Sequence, residues 1–530
     1  MNAPEKSKSQ RYNRRDTLKL SGLALGGLAL GGMAGGPGAR KAQAVCDHEP
    51  YAVDCPPGYS PDQYSFFQNL PEIDLLQTPL DDDEIRITFM GSCFPIQRRV
   101  QAEMSVFVEV GPWIPDPKNP GDPALGKAAD SFIFDCGAGS CTNFGAAGIG
   151  YRRMDKVFIN HLHADHMNDL SHIYCFGPSG DRKSPLYVWG PGPSRVKSPR
   201  PPRRLYDDGT KAYCRNLREA MRWHTESFSF LETSYQSYPI PTRTSWGLPC
   251  DPIPVGDDPP NDAYALVPIE LDWTKYGQVA GDNVAYNNPS TGVKITHFPV
   301  IHCRKGSVGY KLEWWHAPDR PPFSLVYTSD TKPETHCIEQ ALNGGDGVDV
   351  FIHEMVMPPE RYAMKVLGLT TPPVLGDPGY EDFMMYVKGT ERVYDSSHTT
   401  QGAFGYLLSQ IDPRPRLTVA THFPVADDTA ACALQSILAH CGDVIWNPEY
   451  PDACTVTWSF DCMVLRVYPG HIQHCRAKVK DFGFTPPLVS YDDILPPKYA
   501  DAEGNGDPFV QLERATEIQA GPDTYCADGY

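Results

Sequence analysis

The chain has 530 residues, 41% of them hydrophobic and 11% aromatic, enough apolar material for an extensive core and too much for a largely disordered polymer. Its 65 acidic side chains against 47 basic ones give a formal net charge of -18, which opposes a phosphate backbone and disfavours a dedicated nucleic-acid binder unless charge is strongly segregated. The 16 cysteines are many for a reducing compartment; with no paired Cys-x-x-Cys units they exclude a zinc ribbon and imply some disulfides whose pairing stays open.

At the amino terminus Arg14-Arg15 precede a modest apolar stretch, Leu20 to Ala34, and Ala42-Gln43-Ala44 forms a small-x-small cleavage signal. Residues 1–44 therefore read as a twin-arginine signal peptide, predicting export in the folded state, a periplasmic or secreted product, and the export machinery as a partner. An uncleaved anchor is the alternative, but the stretch is diluted by glycine and short of the roughly 20 strongly apolar residues a spanning helix needs. Cys46 lacks the preceding pattern of a lipidated cysteine, so no stable membrane anchor is expected. Residues 45–84, rich in proline and acid, read as an irregular leader.

Strand signals begin at Ile85–Phe89 and continue at Met104–Val110, Ser131–Asp135, Asp155–Ile159 and Leu186–Trp189. A Pro/Arg/Lys/Ser segment, Pro191–Arg204, holds the short basic run from Lys197. Lys211 to about Glu232 reads as helix and Pro239–Pro260 as proline-rich loop. The region from about 195 to 290 reads as an insertion. Strands resume at Val293–Val300, Ser307–Trp314, Ser324–Thr328 and Val348–Ile352. Gln401–Gln410 and Thr429–Cys441 have helical character around a strand at Leu417–Ala420, and Met463–Val467 reads as the last core strand. Two sheets covered by helices fit this order better than one parallel sheet. The hydrolase-like unit then spans 85–470, and 471–530 is a C-terminal extension.

The central motif is His161-Leu162-His163-Ala164-Asp165-His166, directly after an apolar strand. Neutral imidazoles and carboxylate suit zinc. In an extended loop His161 and His163 point the same way and can grip one ion, while Asp165 and His166 are placed for a second. A polar loop with satisfied histidines would explain one histidine, but three with an aspartate in six residues point to metal.

His-x-His-x-Asp-His after a strand resembles the signature of the metallo-β-lactamase superfamily. Further segments resemble its ribonuclease Z and arylsulfatase branch. They are Ile87–Ser92 (opening strand and glycine turn), Phe132–Gly139 (strand-Asp-x-Gly turn), Phe298–His302 with Gly309-Tyr310, Val326–Pro333 and Val419–Phe423. The resemblance covers about 85–467 and implies an α/β fold, the αββα sandwich of two mixed sheets flanked by helices. It implies that His161, His163 and His302 hold one divalent ion, that Asp165, His166 and His422 hold another, and that Asp330 bridges them. His302 is preferred to His297 because Gly-Tyr follows it. Where Ser329 stands the family usually has glycine. Zinc is the expected metal, with manganese and iron open.

The resemblance implies hydrolysis by a water whose pKa two metals lower towards about 7, with Asp165 orienting or deprotonating it. Ser396–Thr400 resembles the segment whose histidine, here His398, assists the leaving group, and Glu354 matches a position that could support it. The expected substrate is a small anionic ester, a phosphodiester or sulfate ester; with an acidic, exported chain, nucleic acid is not expected. A lactone or amide hydrolase is the alternative enzyme. An inactive periplasmic metal-binding protein is the alternative outside enzymes.

Overall fold

In the computed structural model the described residues are 70–95, 101–229, 263–278, 281–317, 320–423, 436–441 and 455–479. The expected export signal, Cys46, the expected leader up to 69, the expected loop 239–260, most of the helix expected at 429–441 and the stretch beyond 479 lie outside them.

The first seven strands are β1 (Glu72–Ile73), β2 (Ile85–Gly91), β3 (Ser105–Ile114), β4 (Lys127–Phe134), β5 (Lys156–Phe158), β6 (Leu186–Pro191) and β7 (Leu266–Leu271). The next seven build a second sheet: β8 (Val284–Asn288), β9 (Val293–Pro299), β10 (Val308–Trp314), β11 (Phe323–Tyr327), β12 (Val350–Glu354), β13 (Leu417–Thr421) and β14 (Thr455–Trp458). The last two, β15 (Met463–Val467) and β16 (Ile472–Ala477), return to the first sheet. Its order is β1-β16-β15-β2-β3-β4-β5-β6-β7, and that of the second sheet is β14-β13-β12-β11-β10-β9-β8. Both sheets are mixed. In each, antiparallel strands give way to a parallel run, β4 to β7 in one and β11 to β14 in the other.

Alternation along the strands sorts the side chains into layers. Ile85, Ile87 and Phe89 of β2 and Phe132 and Phe134 of β4 meet Ile295, Leu312, Leu325 and Ile352 of the second sheet in one core between the sheets. The opposite face of the first sheet, with Ile133, Val157 and Val188, packs on helices α1 (Ser140–Ala146), α3 (Leu170–Phe176) and α4 (Thr210–Ala220) through Phe144, Ile173 and Leu217. Between α1 and α3 lies the single turn α2 (Ala164–Met167). On the outer face of the second sheet Val326, Phe351 and Ala420 pack on α5 (Thr335–Leu342) and α8 (Gln401–Ser409). The order is helix, sheet, sheet, helix: an αββα sandwich. A smaller cluster joins α6 (Pro359–Leu367) to α7 (Tyr380–Ser397).

The expected strands are present, with ends moved by at most four residues. Three differences matter. Met463–Val467 is not the last strand, because β16 pairs with it and carries β1, a two-residue strand within the expected leader. The region 195–290 supplies β7 to the edge of the first sheet and β8 to the edge of the second. Helix also replaces the expected continuous span after Lys211 by α4 and a second segment, Arg222–Ser229. Among the described residues no disulfide is formed: Cys136, Cys214 and Cys337 are buried thiols whose ionisation burial pushes up. Ten of the 16 cysteines are among the described residues, and the other six, Cys46, Cys55, Cys250, Cys432, Cys454 and Cys526, lie outside them.

Candidate metal centre

The parallel strands of both sheets end at the same edge, where ligands bind open α/β sheets. Asp135 follows β4, His161 follows β5, Asp330 follows β11, Glu354 ends β12, and His422 follows β13. Three of these turns are sharp: Asp135, Ser329 and His422 have φ of 57°, 54° and 59°. Non-glycine residues reach that left-handed region only where the surroundings enforce it, and such strain gathers at functional sites.

After β5 the chain is held by Ile159 N–H donating to Trp189 O at 2.8 Å, and by Asn160 N–H donating to Asp135 Oδ1 at 2.9 Å. His163 is still extended (φ -83°, ψ 151°), and α2 then turns Asp165 and His166 inward. Gly137 makes room for this turn, since a Cβ there would lie 2.1 Å from Asp165 O.

All seven residues expected to bind metal converge. His161, His163 and His302 form one group of donor atoms, and Asp165, His166, Asp330 and His422 another; within each group the atoms lie within 4.8 Å of one another. In the first, His302 Nε2 lies 3.0 Å from His163 Nδ1. In the second, His166 Nε2 lies 3.3 Å from Asp165 Oδ2 and from Asp330 Oδ2, and His422 Nε2 is 3.4 Å from Asp165 Oδ2 and from Asp330 Oδ1. Asp330 also faces the first group, at 3.8 Å from His302 Nε2. His297 stays inside β9, paired with Tyr310, and joins neither group.

These atoms fit a cation better than they fit one another. Both ring nitrogens of the buried His161, Nε2 of His166 and Oδ1 of Asp330 have no hydrogen-bond partner, and buried polar atoms are rarely left so. Burial, then the positive charges of neighbouring histidines, hold His161 well below the usual imidazole range. For His166 burial acts downward too, but the carboxylates of Asp330, Asp165 and Asp135 outweigh it and hold a proton on the ring. A bound cation would take that proton's place.

Rings are aimed from behind. His302 Nδ1 donates to Ser397 O at 2.9 Å, leaving Nε2 as the lone-pair nitrogen. His166 Nδ1 bonds Asp135 Oδ2 at 2.8 Å, and that carboxylate also accepts from Tyr327 OH at 2.8 Å and Ser329 Oγ at 2.9 Å. The hydroxyl of Ser329, where glycine was expected, thus joins the support of His166. Sequence reasoning quoted Asp135 only as part of a turn and gave it no role. The missed signal was a carboxylate ending the strand beside the histidine loop.

His398 follows α7 at the rim. Its Nδ1 lies 2.8 Å from Glu354 Oε2 and 3.9 Å from Asp330 Oδ2. The other oxygen of Glu354 accepts from Thr331 N–H. Burial pushes the Glu354 carboxyl up, reinforced by the charge of Asp330, and pushes His398 down. The expected support of His398 by Glu354 is therefore a direct contact.

No family model matches the chain. Over 67 residues it is 36% identical to ribonuclease Z of Treponema denticola, a match covering 13% of this chain and 22% of that protein. Over 256 residues it is 23% identical to ribonuclease Z of Picrophilus torridus, covering 47% of this chain and 72% of that one. Among solved structures, the metallo-β-lactamase fold protein YhfI of Bacillus subtilis aligns with 73% of this chain and 100% of its own at 12% identity and a TM-score of 0.39. Human tRNase Z, short form, aligns with 72% of this chain and 98% of its own at 15% identity and a TM-score of 0.37. The chain is thus similar in sequence to ribonucleases Z, at 36% identity over 67 residues of one and 23% over 256 residues of another.

Proposed function

We propose that the chain is an exported, dinuclear metal-dependent hydrolase of the metallo-β-lactamase superfamily that cleaves phosphodiesters. One observation carries this reading: seven side chains separated by up to 261 positions bring their donor atoms into two adjoining groups, with buried nitrogens and a carboxylate oxygen left unpartnered. His161, His163 and His302 would hold one divalent ion, Asp165, His166 and His422 the other, and Asp330 lies between them. When bound, two such ions lower the pKa of a shared water and polarise the ester oxygen that gains charge.

The chain's own residues supply the rest. Asp165, in the second donor group, would orient the attacking water. The Glu354–His398 pair shares one proton at the rim, where His398 can pass it to a departing oxygen. Zinc suits the imidazole-rich set, and manganese or iron suit it as well. The sulfate ester, small anionic ester and lactone or amide readings share the same attack, whereas the ribonuclease names of the relatives support the phosphodiester. Those names also weigh against the expectation, drawn from net charge, that nucleic acid is no substrate.

The test is the metal-loaded protein against bis-p-nitrophenyl phosphate, p-nitrophenyl sulfate and a lactone panel. Phosphodiester turnover should exceed sulfate turnover at least about tenfold, stop on chelation and return with metal. Turnover of lactones alone would select the carbonyl alternative. Two bound metals with no turnover of any ester would select the binding protein.

A further inference from the structure

The short basic run that begins at Lys197 forms a structure of its own. After β6 the chain makes a hairpin in which Ser198 N–H donates to Arg204 O at 2.8 Å and Tyr206 N–H donates to Val196 O at 2.9 Å, with Lys197 paired antiparallel to Leu205. Pro199, Pro201 and Pro202 fix φ around its tip and stiffen it. Its base is fastened to the loop that carries His302. Ser194 N–H and Oγ donate to the Asp208 carboxylate at 2.9 and 2.7 Å, and Arg304 pairs with Asp208 and donates to Ser194 Oγ at 3.2 Å. The Arg304 guanidinium lies 5.0 Å from the Tyr206 ring centroid. Trp273 Nε1 donates to Pro193 O at 3.4 Å, and a Cβ on Gly306 would lie 2.9 Å from the same Nε1.

We propose that this hairpin, residues 194–206, is a docking arm for a single-stranded nucleic acid whose phosphates lead towards the metal centre; the proposal rests on the phosphodiesterase reading above. Lys197, Arg200, Arg203 and Arg204 are exposed and make no ion pair among the described residues. The nearby anions are already engaged, Asp207 with Arg215, Asp208 with Arg304, and Asp272 with Arg195. Four unpaired cations within eight residues, on a chain of net charge -18, are the segregation that overcomes an unfavourable average. Phosphates would be the counterions, and the exposed Tyr206 ring offers a stacking surface for a base. The tip, residues 199–203, carries no large apolar side chain, as an arm entering a lipid surface would; the exposed Leu205 lies outside the tip, paired with Lys197. Because Arg304, tied to Ser194, Asp208 and Tyr206, is two positions from His302, the base of the arm adjoins the loop that carries that residue.

The experiment compares the full chain with its Lys197→Ala/Arg200→Ala/Arg203→Ala/Arg204→Ala variant in binding a labelled, phosphorothioate-linked single-stranded RNA, by anisotropy across a salt series. The variant should bind about tenfold or more weakly at low salt, and its log K against log salt slope should fall by about 0.7 for each lost phosphate contact. Arg200→Lys/Arg203→Lys/Arg204→Lys should keep most of both, since the charge remains. Equal affinity and slope in the alanine variant would overturn the arm. Capture of phosphatidylglycerol vesicles by the wild type, without binding of the RNA, would overturn it in favour of a membrane surface. Bis-p-nitrophenyl phosphate hydrolysis by the wild type reports the metal centre separately. Loss of RNA binding in the variant, from a protein that hydrolyses no phosphodiester, would uphold the arm and remove the reading on which it was built.

Discussion

At the residue scale, His398 and Asp135 separate two kinds of work at one site. His398 touches Glu354 and looks across at Asp330. As a proton donor, His398→Ala should keep both metals and lose about 10²–10⁴-fold in turnover of esters with poor leaving groups, and far less with p-nitrophenolate. An equal loss across leaving groups would make it a positioning residue. A lost metal would make it a ligand, a role its closeness to His302 and Asp330 permits. Asp135 aims His166 from behind, so Asp135→Asn should weaken metal affinity about 10–100-fold while leaving the fold cooperative, as metal titration would show. The candidate ligands were legible because His161, Asp330 and His422 closely follow apolar strands and imidazole clusters have few other uses. Asp135, Ser329 and the carbonyl of Ser397 were not, because they act through hydrogen bonds to residues far away in sequence, and such bonds leave no pattern in it. His297 shows the converse: a histidine inside a strand packs rather than binds.

At the element scale, strands with clear alternation were read within a few residues, and what was missed lacked that contrast. Helix α7 spans 18 residues yet buries only Phe383, Val387 and Ser397, so its sequence carries little apolar periodicity, and it packs mainly on α6. Strands β7 and β8 sit at sheet edges; β8, VAYNN, has little apolar content, and the apolar run of β7, LVPIEL, is interrupted by Pro268. Asp461, between β14 and β15, ties elements that no local signal connects. It accepts from Ala102 N–H at 2.6 Å, Ser92 Oγ at 2.7 Å and Asn143 Nδ2 at 2.7 Å, joining the turn after β2 and helix α1. Burial lifts this carboxyl to about 6 despite those donors. The folded state then keeps a proton that the unfolded chain, ordinarily near 3.9, releases. The resulting stability is full below about pH 4 and is lost as pH rises through about 6, by roughly 3 kcal/mol. The stability difference between wild type and Asp461→Asn, from urea melts at pH 4 and pH 7, should fall by that order; a pH-independent difference would contradict it.

At the scale of the whole molecule, average charge was the least informative property read from the sequence. It excluded a uniformly basic surface but could not reveal that the cations of residues 197–204 stand together on a hairpin. If residues 1–44 act as the export signal expected from the sequence, replacing Arg14 and Arg15 with lysine should hold the precursor in the cytoplasm, as cell fractionation would show. If the two donor groups bind metal in the folded state alone, chelation should lower the melting temperature, removing about 3 kcal/mol for each site filled at a hundredfold excess over Kd. The most direct test of the central claim is elemental analysis of the purified, metal-replete protein beside His161→Ala. Two divalent ions per wild-type chain are expected, with one ion weakened or lost in His161→Ala. A folded wild type that retains no metal, or a His161→Ala protein that still holds both as tightly, would contradict it.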